Sequence, residues 1–177
     1  MKVRDSGMPE EVYWETLVDV PLTVERFGFS RYRDVVEMGC GYGTFSESVA
    51  RSISGMLYAY DIDPEMIQRT KLRVTDLPIV VEKRDVFVDG FKSEVDAVML
   101  FNILHCEAPE QLLRLASAAA PKILVTHWKY TSTPRGPKHS IRPRPEAIGQ
   151  WATNCGLFVT DSFELPPWHF GMVLSRA

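Results

Sequence analysis

The chain has 177 residues, 45% of them hydrophobic, and 20 Lys and Arg against 23 Asp and Glu give a formal net charge of −3. That size supports one substantial core rather than two, and the slight negative charge argues against nonspecific nucleic-acid binding by the molecule as a whole. Cys40, Cys106 and Cys155 are widely spaced with no CxxC pair, which suggests neither a disulfide framework nor a zinc site. No apolar run approaches the ~20 residues of a membrane-spanning helix, and residues 1–10 lack the apolar segment of a signal peptide. A cytoplasmic protein with no metal and no membrane contact is therefore expected.

Taken in order, Pro9-Glu10-Glu11 opens a predicted helix with Val12, Trp14, Leu17 and Val18 at helical spacing. Pro21 interrupts it, and Leu22, Val24 and Phe27 predict a second short helix that stops at Gly28. Residues 33–38 read as a buried strand, ended by Gly39-Cys40-Gly41-Tyr42-Gly43. Glycine accepts backbone angles denied to other residues and lets a ligand lie against the main chain, so this loop is expected to hold a nucleotide-like ligand. The dinucleotide fingerprint would place its third glycine at Thr44, which disfavours a nicotinamide enzyme. Thr44 and Glu47 predict a capping box, with Phe45, Val49 and Ile53 on the inner face of the helix that follows.

A second strand at 56–60 runs to Asp61, about 20 residues beyond the glycine loop, the distance at which a carboxylate reaches a ribose held at the first strand. Asp63 and Pro64 predict the cap and first residue of a helix at 64–74. A third strand at 78–81 leads to Asp85 and Val86. The most apolar run, 94–102, is the fourth strand and continues into Ile103-Leu104-His105-Cys106. A helix at 109–120 and a fifth strand at 121–126 lead to His127-Trp128-Lys129. Residues 131–145 are rich in proline and contain Arg135, Lys138, Arg142 and Arg144, with no acid between Glu110 and Glu146. A helix at 145–154, capped at Gly156, and strands at 157–165 and 169–175 complete the chain.

The acid–spacer–Gly-x-Gly-x-Gly stretch from Glu37 to Gly43 resembles motif I of the class I S-adenosylmethionine-dependent methyltransferases. The Asp-x-Val strand at Asp96 to Val98, followed by Asn102-Ile103-Leu104-His105, resembles their motif IV. The resemblance implies a three-layer α/β, Rossmann-like fold whose seven-stranded sheet has its last strand antiparallel between the fifth and sixth. A helical lid at 1–30 would precede a methyltransferase domain at 31–177. It implies S-adenosylmethionine as donor and S-adenosylhomocysteine as product. Glu37, Gly39, Gly41 and Gly43 would hold the methionine part, Asp61 the ribose with Ile62 against the adenine, Asp85 and Val86 the adenine, and Asn102 the amino-acid end, with Cys40 and Leu104 also among the cofactor-binding residues. One departure is the short Ala119-Ala120-Pro121-Lys122 turn, where the family usually carries Pro-Gly-Gly.

Methyl transfer from a sulfonium needs chiefly alignment, with a base only where the acceptor keeps a proton at neutral pH. His105 is the first candidate base and His127 the second, imidazole being the side chain that titrates near neutrality. Tyr13 as part of the lid, Trp128, and Arg142 in the basic loop are the candidates for acceptor binding. A small-molecule acceptor is expected. The alternatives are RNA or a phosphorylated substrate received by the loop at 131–145, or a scaffold protein that binds the adenosyl ligand without catalysis.

Overall fold

The apolar runs of the sequence become the middle of one sheet. In the computed structural model, which describes residues 7–92 and 94–176, seven strands are ordered β3-β2-β1-β4-β5-β7-β6. They are β1 (Val35–Met38), β2 (Leu57–Asp61), β3 (Ile79–Lys83), β4 (Ala97–Phe101), β5 (Lys122–Trp128), β6 (Leu157–Leu165) and β7 (His169–Arg176). The first five are parallel, and β7 runs antiparallel between β5 and β6. Every residue of β1 and β4 is buried, as expected of central parallel strands covered on both faces.

Alternation along these strands divides the core in two. Val36, Met38, Val98, Leu100, Ile123 and Val125 pack under the helices α6 (Pro109–Ala119) and α7 (Pro145–Asn154). Val35, Ala97, Met99 and Leu124 face α2 (Val20–Phe27) and α3 (Ser46–Ser52). An aromatic cluster seals the second face, with Phe27 5.1 Å from Phe101 and 5.0 Å from Phe163, ring centre to ring centre. Phe163 crosses Gly171 so closely that a Cβ there would meet its ring at 2.2 Å.

The expected helix starts hold where proline is the first helical residue, whereas the helix expected from Pro9 through Val18 is only Glu11–Glu15, and Pro21, expected to interrupt a helix, lies in the first turn of α2. Helix α4 (Pro64–Arg73) is capped by Asp63, whose Oδ1 accepts the Glu65 N–H at 2.8 Å, and α7 spans the residues anticipated. The capping box at Thr44 does not form. Helix α3 starts at Ser46 without a side-chain cap, and it ends at Ser52, just before Ile53. The glycine loop carries irregular backbone through Thr44, and Ser46 is drawn to another partner described below. Two short helices complete the layers: α1 (Glu11–Glu15), and α5 (Val86–Asp89), which the sequence did not announce.

Candidate active site

Strand order reverses between β1 and β4, which are neighbours although β2 and β3 intervene in sequence. At such a switch point the loops leaving the two strands part and open a crevice at their carboxyl ends. A cavity of about 330 Å³ lies there, in the range of small-ligand sites.

The glycine loop forms its outer wall. Gly39, Gly41 and Gly43 have φ of +75°, +55° and +75°, the left-handed conformation that disfavours a side chain. The turn is pinned from below: the N–H groups of Gly39 and Cys40 both donate to the Tyr60 carbonyl at 2.7 and 3.0 Å. Thr70 of α4 donates to the Gly41 carbonyl at 2.9 Å. Asp61, the last residue of β2, accepts the Gly41 N–H on Oδ2 and the Asp63 N–H on Oδ1, both at 3.0 Å. An ionised carboxylate offers about four acceptor positions, so Asp61 keeps capacity for further donors beside the cavity it lines.

Glu37 is 2% exposed and accepts the Ser46 hydroxyl at 2.5 Å. Burial raises its carboxyl to about 7, against the lowering effect of the Ser46 bond and with a further push from Asp61. This near-neutral acid in the cavity wall is suited to a cationic ligand group. Cys40 is also buried in the wall, and desolvation first, then Glu37, raises its thiol, so the site stabilises no thiolate there.

The turn after β4 forms the opposite wall. Asn102 has φ +54°, and its N–H donates to the Thr126 carbonyl at 2.9 Å. His105 and Cys106 follow it into the cavity lining. The inner end is ringed by Trp14, Phe45, Phe101 and Trp128, with Trp14 and Trp128 at 6.1 Å. Ile62, Asp63 and Met66 line the far end, and Met8 contributes from the N-terminal segment.

The fold thus brings Glu37, Gly39, Cys40, Gly41, Asp61, Ile62, Asn102, His105 and Trp128 to one cavity. Several expected members lie elsewhere. Asp85 caps α5 by accepting the Phe87 N–H at 3.0 Å, and Val86 is fully buried in the core, so neither lines the cavity. Gly43 packs toward Thr70, and Leu104 is fully buried in the core under α6 and α7. His127 follows Thr126 on β5 and projects to the opposite side of the sheet from Trp128, as strand alternation requires. It stands behind His105 at a ring distance of 5.6 Å, and burial, then the neighbouring His105 and His169, hold its imidazole neutral. Tyr13 is 40% exposed beneath the Arg135 guanidinium, and Trp14 takes the inward position on α1.

Arg142 departs furthest from expectation. Its side chain is buried and donates to the carbonyls of Lys129, Thr131, Arg135 and Pro137 and to the Thr133 hydroxyl. It therefore organises the loop at 131–145 instead of presenting charge to a ligand. Lys129 is paired with Glu164, and Arg144 lies 4.0 Å over the Tyr130 ring. Gly136 packs this loop on Trp128, where a Cβ would meet the indole at 2.7 Å.

Ser46 and Thr70 are participants the sequence reading missed. Thr70 had a signal, a polar residue three positions from Ile67 on the inward face of an amphipathic helix. Among the described residues no three His, Cys, Asp or Glu side chains converge as a metal site would require. Cys155 stands apart from the cavity, donating to the Glu110 carbonyl at 3.3 Å. No helix among the described residues is long and apolar enough to cross a membrane.

Residues 35–121, just under half the chain, match the methyltransferase domain family. A curated relative, the ubiquinone biosynthesis O-methyltransferase of Xanthomonas axonopodis pv. citri (strain 306), is 26% identical over 152 residues, covering 72% of this chain and 63% of its own. The chain thus spans less than two thirds of that relative's length. Among solved structures, a SAM-dependent methyltransferase from Aquifex aeolicus has a TM-score of 0.80 at 20% identity, covering 95% of this chain and 94% of that one. A putative type 11 methyltransferase from Sulfolobus solfataricus has a TM-score of 0.74 at 21% identity, with 90% and 93% covered. At these identities the two structures speak for the fold. The acid–glycine loop lies within the segment that matches the methyltransferase domain family, and the whole chain shares the fold of these methyltransferase structures.

Proposed function

We propose that the protein is an S-adenosylmethionine-dependent methyltransferase acting on a small-molecule acceptor. The observation that carries this reading is the joining of Glu37, the glycine loop and Asp61 around one cavity at the switch point of the sheet. When bound, the donor supplies a methyl group already activated on a sulfonium. Asp61, with acceptor capacity left over, suits a pair of ribose hydroxyls. The open main chain at Gly39 and Gly41 suits the methionine portion, and Glu37 suits its ammonium. With Asp85 turned to capping, Ile62 and Met66 hold the adenine by apolar contact, beside Asp63. Positioning of this kind supplies most of the acceleration such a transfer needs.

The acceptor belongs at the inner end, among Trp14, Phe45, Phe101 and Trp128. The printed name of the curated relative is that of an O-methyltransferase, and a hydroxyl acceptor suits a pocket walled by rings and bordered by the His105 imidazole. His105 takes the acceptor proton in this reading, and His127 sits behind it as a neutral neighbour. Met8 and Trp14 make the N-terminal segment a lid; residues 1–6 lie outside the described residues. A phosphorylated or RNA acceptor draws little support from a basic loop whose Arg142 is spent on the backbone. Cys40, Cys106 and Cys155 form no disulfide with one another, which suits a reducing cytoplasm.

Calorimetric titration with S-adenosylmethionine, S-adenosylhomocysteine and NADH in one buffer tests the reading. Saturable binding of both adenosyl ligands and none of NADH is expected. Failure of both adenosyl ligands to bind would sink it. Asp61→Ala should weaken S-adenosylhomocysteine at least tenfold, through loss of charge-assisted bonds worth roughly 1.5–3 kcal/mol. His105→Ala should leave that affinity intact while lowering turnover of a hydroxyl acceptor; full turnover would remove it as the base.

A further inference from the structure

Behind the inner wall of the main cavity lies a second space of about 10 Å³, room for the centre of one water molecule. Phe45 and Asn102 line both spaces, and Val18 and Asp19 close the small one from the lid side. Its polar wall includes Asn102, Thr126 and His169, the last two 2% and 4% exposed, beside Thr23 and Asp19, whose side chains are engaged with the Asp19 carbonyl and the Leu22 N–H.

Asn102 Oδ1, Thr126 Oγ1 and His169 Nε2 are all buried, and none has a hydrogen-bond partner among the described residues. They come from three elements: the turn after β4, the body of β5 and the first residue of β7. A buried polar atom left unsatisfied costs about 1–3 kcal/mol, so three around one small space call for a shared partner. A hydroxyl can donate or accept, as can an imidazole nitrogen according to tautomer and an amide according to its flip. Water donates two bonds and accepts two, and because the Thr126 hydroxyl can turn to donate or accept, one water can meet all three. Buried waters in proteins make about three bonds each. An anion fits less well: burial, aided by Arg142 and Lys129, holds the His169 imidazole down at about 3, Asn102 and Thr126 are uncharged, and the acid Asp19, whose Oδ1 accepts the Leu22 N–H, borders the chamber.

We propose that this chamber binds one ordered water, and that through it Thr126 and His169 position the side chain of Asn102 at the wall of the main cavity. Asn102 needs such support. Its backbone is in the left-handed conformation and tied to Thr126, while its side-chain oxygen has no partner among the described residues. Thr126 and His169 are thus positioning residues for the cavity. The site itself is independent of the proposed function; only its effect on affinity rests on that reading.

The test is a crystal structure of the full chain at about 1.5 Å, paired with S-adenosylhomocysteine titration of Thr126→Val and Thr126→Ser. The expected result is a water peak within about 2.7–3.2 Å of all three side chains. Thr126→Val should lose or displace it and bind roughly fivefold more weakly, the equivalent of one ordinary hydrogen bond. Thr126→Ser should keep both the water and the affinity. A dry chamber in the unaltered protein overturns the site. A Thr126→Val protein that has lost the water but binds like the parent overturns the positioning role. Absence of ligand binding by the parent would strike the proposed function and leave the crystallographic result standing.

Discussion

Glu37 carries a charge that the free protein does not favour. Burial raises its carboxyl from 4.5 to about 7, so between those values the native state holds a proton that the unfolded chain has lost. Stability from this group is fully present below about 4.5 and disappears as pH rises through 7, the reverse of a carboxylate in an ion pair. Glu37→Gln removes the titration and can still accept the Ser46 hydroxyl. Chemical denaturation should find the variant more stable than the parent at pH 8, by up to roughly 3 kcal/mol, and little different at pH 5. The same change should weaken S-adenosylhomocysteine roughly 10- to 100-fold at pH 8 by removing a charge-assisted partner. A variant no more stable at pH 8 would show that the carboxyl is not strained by burial. Glu37 and Asp61 were legible in the sequence because each sits at a strand end at a fixed spacing from the glycines. Ser46 and Thr70 were not, because a hydroxyl that serves a buried acid or a loop carbonyl looks like any other helix hydroxyl.

The loop at 131–145 shows what spacing and charge leave out. Its basic residues and lack of acids suggested an anion site, yet Arg142 turns inward to carbonyls of its own segment. Backbone acceptors have no residue identity, so no pattern in the sequence could announce them. Helices α4 and α7 were legible to the residue at their starts because proline at the first position fixes φ and gives up an N–H that would be unsatisfied there. Helix α5, with four residues, is too short to show a period. Arg142→Ala strands the buried Pro137 carbonyl and frees three part-buried ones, and should cost roughly 2–3 kcal/mol. Trypsin should then cut at Arg135 and Lys138 under conditions where the parent resists. Equal resistance in the two proteins would mean that the loop is held by its packing on Trp128 instead.

At the scale of the whole molecule, the N-terminal segment is attached mainly by side chains. Glu11 pairs with Arg69 at 3.1 Å and with Arg73 at 3.5 Å, Glu15 pairs with Arg73, and Tyr42 donates to the Pro9 carbonyl at 3.2 Å. Pairs this accessible contribute about 0–1 kcal/mol each and weaken with salt. The five residues of α1 are also too few to be stable alone. What remains is the contact of Trp14 with Trp128 and His169 and the reach of Met8 over the glycine loop. A ligand in the cavity would touch Met8 and Trp14 and hold the segment closed. At a hundredfold excess over Kd it should stabilise the protein by about 2.7 kcal/mol, or roughly 5–10 °C in Tm for a chain of this size. Hydrogen exchange read by mass spectrometry should show S-adenosylhomocysteine slowing exchange over residues 9–17 and leaving the edge strand β6 unchanged. Without ligand, raised salt should speed exchange in that same segment. Protection confined to the glycine loop, with 9–17 unaffected, would separate the lid from the donor site and leave the first helix as a fixed part of the core.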